Sequence, residues 1–160
     1  MIGPWHRRYY RGARLGVPPH ITLHYPFVPV ERLERDDAIL DGLRALCAAH
    51  APFDFALTGL AQFPGVLYAT PEPAAPFYTL TAALSARYPE APLYGDRYQT
   101  LIPHLSVAHG ENQGVFDQIA ATLTPAFPIP IHTSELWLMA EQSNGLWYTP
   151  YRFPLCSRMP

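Results

Sequence analysis

Cysteine is scarce in this chain: of 160 residues only Cys47 and Cys156 carry a thiol. Two cysteines without CxxC spacing exclude a disulfide framework, and a reducing cytoplasm is the plain expectation. Charge is also thin. Only 15% of residues are charged and the formal net charge is −2, so the broad basic field of a duplex binder is missing. Arg7, Arg8, Arg11 and Arg14 form a local exception, to be read as a solvated segment or, alternatively, as a phosphate contact. No apolar run is long enough to span a membrane, and MIGPWHRRYY lacks the apolar stretch of a secretion signal. Neither a membrane partner nor a signal peptide is therefore expected.

What is present suits a folded chain. Hydrophobic residues make up 49% of it, enough to bury a sizeable core in one domain or in two small lobes. The 19 prolines and 10 glycines are spread along the chain and punctuate many short elements. Alternation over residues 20–25 predicts a strand, with His20, Thr22 and His24 on one face and Ile21 and Leu23 on the other. Residues 31–50 read as a helix, 53–63 and 66–70 as a hairpin turning at Pro64-Gly65, 70–76 as a loop, and 77–88 as a second helix. The run 89–103 is irregular. The order then repeats. Residues 104–109 read as a strand, and Asn112 caps a helix reaching about residue 124. Residues 129–141 read as one long strand, Ser143-Asn144-Gly145 as a turn, and 146–155 as a return strand with Pro150 marking an edge or bulge.

Each half thus reads strand, helix, strand, strand, in units of roughly 18–88 and 102–158 within a single two-lobed domain. Both halves open on the same phrase. PPHITL holds Pro19, His20, Ile21, Thr22 and Leu23; IPHLSV holds Pro103, His104, Leu105, Ser106 and Val107. A lone strand histidine is more often structural than catalytic. A duplicated phrase placed equivalently in two matching halves points instead to chemistry. Lobes related by a pseudo-two-fold axis would face two imidazoles and two hydroxyls across one cleft.

Such a cleft suits displacement at phosphorus. One neutral imidazole takes a proton while an imidazolium gives one, because the histidine pKa lies near about 6.5. Thr22 and Ser106, about 7 Å along the strand from their histidines, can donate to non-bridging phosphate oxygens. A ribose cyclic phosphate supplies both the bond attacked and the oxygen released. Zinc would want third and fourth ligands, and neither phrase contains Asp, Glu or Cys, so no metal is expected. A hydroxyl nucleophile would lack the elbow and orienting acid of a hydrolase triad. Of the other histidines, His24 can line the cleft edge and His109, of opposite parity to His104, faces elsewhere. His6, His50 and His132 have no identifiable partner. Tyr25, Phe63 and Tyr68 are candidates to stack a base, and Arg152 to reach a phosphate.

The paired PHIT and PHLS phrases resemble the two-histidine phosphoesterase superfamily, closest to its 2′-5′ RNA ligase-like branch, which includes RNA 2′,3′-cyclic phosphodiesterases. That pattern, His-aliphatic-Thr/Ser-aliphatic twice over, is filled without departure, and the likeness extends through the hairpin from Phe53. The resemblance implies an α+β fold of two pseudo-symmetric lobes, each with an antiparallel sheet and flanking helices around a central cleft. It implies His20 and His104 as the catalytic pair, Thr22 and Ser106 as phosphate ligands, and no metal or organic cofactor. The substrate it implies is an RNA terminus or a small nucleotide carrying a cyclic phosphate or a 2′-5′ linkage, with ligation as the reverse direction. The alternative is an RNA-end or nucleotide binding module without turnover. Relatives also begin with a strand ahead of the segment that is Pro4-Trp5-His6-Arg7 here. With Met1 as the start, that implies either a start downstream of the true one or an open position in the first lobe's sheet. A monomer is expected, with a dimer through that open edge as the alternative.

Overall fold

The computed structural model describes residues 1–33, 35–96 and 101–156; for Gly95 and Asp96 it describes the backbone alone. Six strands and five α-helices are formed among the described residues. Helix α1 spans Ile2–Tyr9, α2 Val30–Leu33, α3 Asp37–Ala48, α4 Ala75–Arg87 and α5 Gln113–Leu123. Strand β1 spans Phe53–Phe63, β2 Val66–Glu72, β3 Leu105–His109, β4 Ile129–Thr133, β5 Glu135–Glu141 and β6 Trp147–Pro154. They build a four-stranded antiparallel sheet in the order β3-β2-β1-β4 and a separate antiparallel pair, β5-β6. No helix among the described residues is long and apolar enough to cross a membrane.

Local chemistry accounts for the elements. The Asp36 carboxylate accepts the Ala38 N–H at 3.1 Å and starts α3. From there Ile39, Leu40, Leu43 and Cys47 recur at helical spacing and are buried. The Asn112 side chain accepts the Val115 N–H at 3.1 Å and starts α5, which buries Phe116, Ile119 and Leu123. The β1–β2 hairpin turns at Gly65, whose φ of 73° is a conformation that only glycine adopts cheaply.

Two apolar clusters result. One joins Ile2 of α1 and the inner face of the large sheet (Phe55, Leu57, Leu67, Ala69, Leu105, Val107) to α5. The other joins α3 and α4 to Phe153 of β6. Leu23 and Phe53 pack against both, so the segment carrying the first His phrase lies along the seam. The thiols of Cys47 and Cys156 are both free, and burial pushes that of Cys47 up to about 11.

Several expectations are corrected. Residues 20–25 do not form a strand: only Ile21 pairs, in an isolated antiparallel bridge to Leu105, and the chain bends over residues 23–26. Pro18, Pro19 and Pro26 have no N–H to give a ladder. The helix over 31–50 is two helices, α2 and α3, because Asp36 caps a fresh start; Glu34 lies outside the described residues. In place of a loop over 70–76, β2 runs to Glu72 and α4 begins at Ala75. Of the irregular run 89–103, residues 97–100 lie outside the described residues, as do 157–160.

The long strand over 129–141 divides at Ser134, with β4 joining β1 and β5 joining β6. Ile129 and Ile131 pack on the first cluster, Leu136 and Leu138 on the second. Odd positions face inward before the break and even ones after it, which a single straight strand cannot satisfy. Opposite Met139 the β5–β6 register slips around Pro150, as a proline in a strand requires. The strands are not divided by sequence half: β1 and β2 share a sheet with β3 and β4.

Candidate functional site

The two His phrases meet at the Ile21–Leu105 bridge. Leu105 is buried and Ile21 packs on the same cluster, so both face the core. His20, Thr22, His104 and Ser106 therefore project from the opposite side. The antiparallel sense sets His20 across from Ser106 and Thr22 across from His104. The charge of His104 reaches His20 and helps lower its pKa, so the two imidazoles are neighbours across the bridge.

Each phrase makes the same local hydrogen bond. His20 Nδ1 lies 2.8 Å from the Pro18 carbonyl oxygen, and His104 Nδ1 lies 2.7 Å from that of Ile102. A carbonyl only accepts, so Nδ1 carries the proton in both rings. That leaves Nε2 of each neutral imidazole as a lone-pair acceptor, free for proton transfer. The echo thus has a mechanical basis: each histidine is anchored by the carbonyl two residues upstream.

Electrostatics and packing distinguish the rings. The pKa of His20 is lowered, chiefly by burial; the Pro18 hydrogen bond opposes this and the nearby His104 charge reinforces it. Burial therefore favours the neutral form of the His20 imidazole. His104 is walled by Phe63 at 5.2 Å and Tyr68 at 5.3 Å, both edge-on, and these two rings stack on each other at 4.2 Å. Tyr68 is only 6% exposed, so it supports His104 rather than offering a face to a base.

The remaining candidates scatter. His24 Nε2 is 2.6 Å from the Ala91 carbonyl, and its Nδ1 is buried without a partner; with His20 and Thr22 it borders one cavity. Tyr25 is 51% exposed and reaches the Trp147 ring at 6.4 Å. Arg152 lies 4.1 Å over the Trp137 ring and 3.6 Å from the Glu135 carboxylate, already engaged along β5–β6. His50 Nδ1 is 2.8 Å from the Leu46 carbonyl, and His132 pairs with Asp54 at 2.7 Å on the outer surface.

His109 comes closer than parity allows. The β2–β3 register shifts after Leu67, so that Leu67 faces Ala108 while Tyr68 faces Ser106. Val107 is the extra residue of a β-bulge, and alternation restarts beyond it. His109 is consequently near enough to His104 for the latter's charge to help lower its pKa, after burial. Helix α1, not anticipated from the sequence, brings His6 and Tyr10 to the same region; the arginine cluster that marks this segment gives no sign of helical periodicity. Arg7, Arg8, Arg11 and Arg14 make no ion pair among the described residues, and Arg8 lies over the Tyr9 ring at 5.1 Å.

A cavity of about 1000 Å³ adjoins the site. His20, Thr22, Tyr10, Tyr25 and Trp147 line it, while His104 and Ser106 lie outside its lining. Its lining also includes every residue from Ile131 to Glu141. Among the described residues β5 has β6 as its sole strand neighbour, and no group of three or more His, Cys, Asp or Glu is placed to hold a metal ion.

Comparison with known proteins bears on the fold and the family. Among solved structures, TT0787 of Thermus thermophilus superimposes with a TM-score of 0.63 at 21% identity, covering 89% of this chain and 82% of that one. The E. coli protein LigT, solved in complex with 3′-AMP, superimposes with a TM-score of 0.60 at 16% identity, covering 95% and 87%. These likenesses show the fold. No curated protein matches the chain. The family model of the 2′-5′ RNA ligase superfamily matches residues 2–145, both His phrases included, and the chain belongs to that superfamily.

Proposed function

We propose that the protein is a metal-independent phosphoesterase acting on a 2′,3′-cyclic phosphate, or on a 2′-5′ phosphodiester, at an RNA end or in a nucleotide. The observation that carries the reading is the pair of identically anchored imidazoles flanked by Thr22 and Ser106 across one bridge. LigT's complex with 3′-AMP supports a nucleotide as ligand for a chain of this fold.

In the proposed hydrolysis, the phosphate sits between the two phrases, with the Thr22 and Ser106 hydroxyls donating to its non-bridging oxygens. Burial favours the neutral form of His20, which suits it as the base that takes a proton from water. The new P–O bond forms as the ribose oxygen opposite leaves, protonated by His104 as the imidazolium. With the 5′-hydroxyl of a second RNA end in place of water, the same displacement forms a 2′-5′ linkage as the ribose 3′ oxygen leaves, which gives ligation; in its reverse the two rings exchange roles and the linkage returns to a cyclic phosphate and a free 5′-hydroxyl. Tyr25 and Trp147, on the wall of the same cavity, are suited to stack the base. The free thiols of Cys47 and Cys156 support a cytoplasmic setting. A monomer is the proposed working unit, and a doubled mass in solution would replace it with a dimer joined along an open strand edge.

The test is steady-state kinetics on 2′,3′-cyclic nucleotides, 2′-5′ dinucleotides and cyclic-phosphate RNA ends across pH. A bell-shaped profile is expected, with His20→Ala and His104→Ala each costing about 10²–10⁴-fold and the two losses not adding. Near wild-type turnover in either variant refutes the paired-histidine mechanism. Tight binding of these compounds without turnover would make the protein a binding module.

A further inference from the structure

One aromatic ring at the site remains without a role. Tyr10 follows α1, and its ring packs close against Gly12. A Cβ at Gly12 would stand 2.5 Å from Cε1, 2.9 Å from Cζ and 3.0 Å from the hydroxyl oxygen of Tyr10. Any residue but glycine there displaces the ring. On its other sides Tyr10 meets three imidazoles: His6 at 4.6 Å, His109 edge-on at 4.7 Å and His20 edge-on at 6.3 Å. His6 is 1% exposed with neither ring nitrogen hydrogen-bonded, and His109 Nε2 is likewise buried without a partner. These rings act by packing, not by hydrogen bonding. Tyr10 and Gly12 both line the cavity that His20 enters.

We propose that Tyr10 is a positioning residue for His20: its ring, seated on Gly12 and backed by His6 and His109, holds the His20 imidazole against the Pro18 carbonyl and keeps water off it. The proposal rests on the reading of His20 as a proton-transfer group. The titratable and charged groups around this cluster are His6 and Arg7 from α1, His104 just ahead of β3 and His109 at its end, all basic. Burial is the first cause of the lowered pKa of His20, and Tyr10 is part of what buries it.

The test is NMR titration of the imidazole signals in the full chain, read beside the pH–rate profile, for Tyr10→Phe, Tyr10→Ala and Gly12→Ala. Tyr10→Phe keeps the ring and is expected to match wild type in both. Tyr10→Ala should move the His20 midpoint up toward the ordinary histidine value. It should also shift the acid limb of kcat/KM the same way and lower kcat about 10-fold or more, with KM little changed. Gly12→Ala unseats the ring without deleting it, and is expected to act in the same direction should Tyr10→Ala fail to fold. A His20 midpoint unmoved in Gly12→Ala and Tyr10→Ala overturns the proposal, as does Tyr10→Phe behaving like Tyr10→Ala, which would give the role to the hydroxyl. The titration needs no substrate. A wild type inert toward every cyclic phosphate would defeat the functional reading and leave this one to be decided by the midpoint.

Discussion

Replacing His6 by leucine should make the protein more resistant to acid. Burial, and after it the charges of His20, His109 and Arg7, lower the pKa of His6 from 6.5 to about 4. Between those values the unfolded chain binds a proton that the folded chain refuses, so stability falls as pH falls through this window and the loss levels off below it. The full shift corresponds to about 3 kcal/mol, of which about 2 kcal/mol is lost between roughly pH 7 and pH 5. That is a large share of the roughly 5–15 kcal/mol that holds a domain folded. Leucine has no titration, and it removes two buried nitrogens that lack hydrogen bonds, so His6→Leu is expected to be neutral or stabilising even at neutral pH. His20 and His109 are lowered in the same direction and add their own acid sensitivity. The quantity to measure is therefore the difference between the two proteins. Urea unfolding followed by tryptophan fluorescence, at about pH 7 and about pH 5, gives it directly. If both proteins lose equal stability over that interval, His6 is not held neutral by its surroundings and the account of the α1 contact with the site is wrong.

Thr22→Ala and Ser106→Ala should each cost about 10-fold in kcat/KM, through one lost hydrogen bond to the phosphate; a pH profile that changes shape would instead give the hydroxyl a part in proton transfer. EDTA should leave turnover unchanged, and loss of activity restored by zinc or manganese would move the reaction into the metal-dependent class. Gly16→Ala should destabilise by about 1–3 kcal/mol, because Gly16 has φ +92° and a Cβ there would stand 2.7 Å from the Trp147 carbonyl oxygen. Gly110→Ala, at φ +71° with nothing within 4 Å, should cost less in the same unfolding assay; equal losses would show that the contact with β6 contributes nothing.

The sequence by itself determined what depends on neighbours along the chain. The Asn112 cap, the Pro64-Gly65 turn, the buried face of α3 and the slip at Pro150 need only a few adjacent residues. The two His phrases belong with these. Each ring is anchored to the carbonyl two residues before it, so the same short phrase produces the same local geometry twice. Tertiary structure decided which surfaces meet. Alternation says that His20 and Thr22 share a face, but not that Ile21 pairs with Leu105, since a strand's period carries no partner. The β-bulge at Val107 reset the alternation and turned His109 toward the site, an event invisible to a period of two. The cluster of Tyr10 with His6, His20 and His109 joins α1, the first His phrase and the far end of β3. No local signal marks it, because burial of a histidine is set by what packs over it, and the β3 part of that packing comes from about a hundred residues away in the chain.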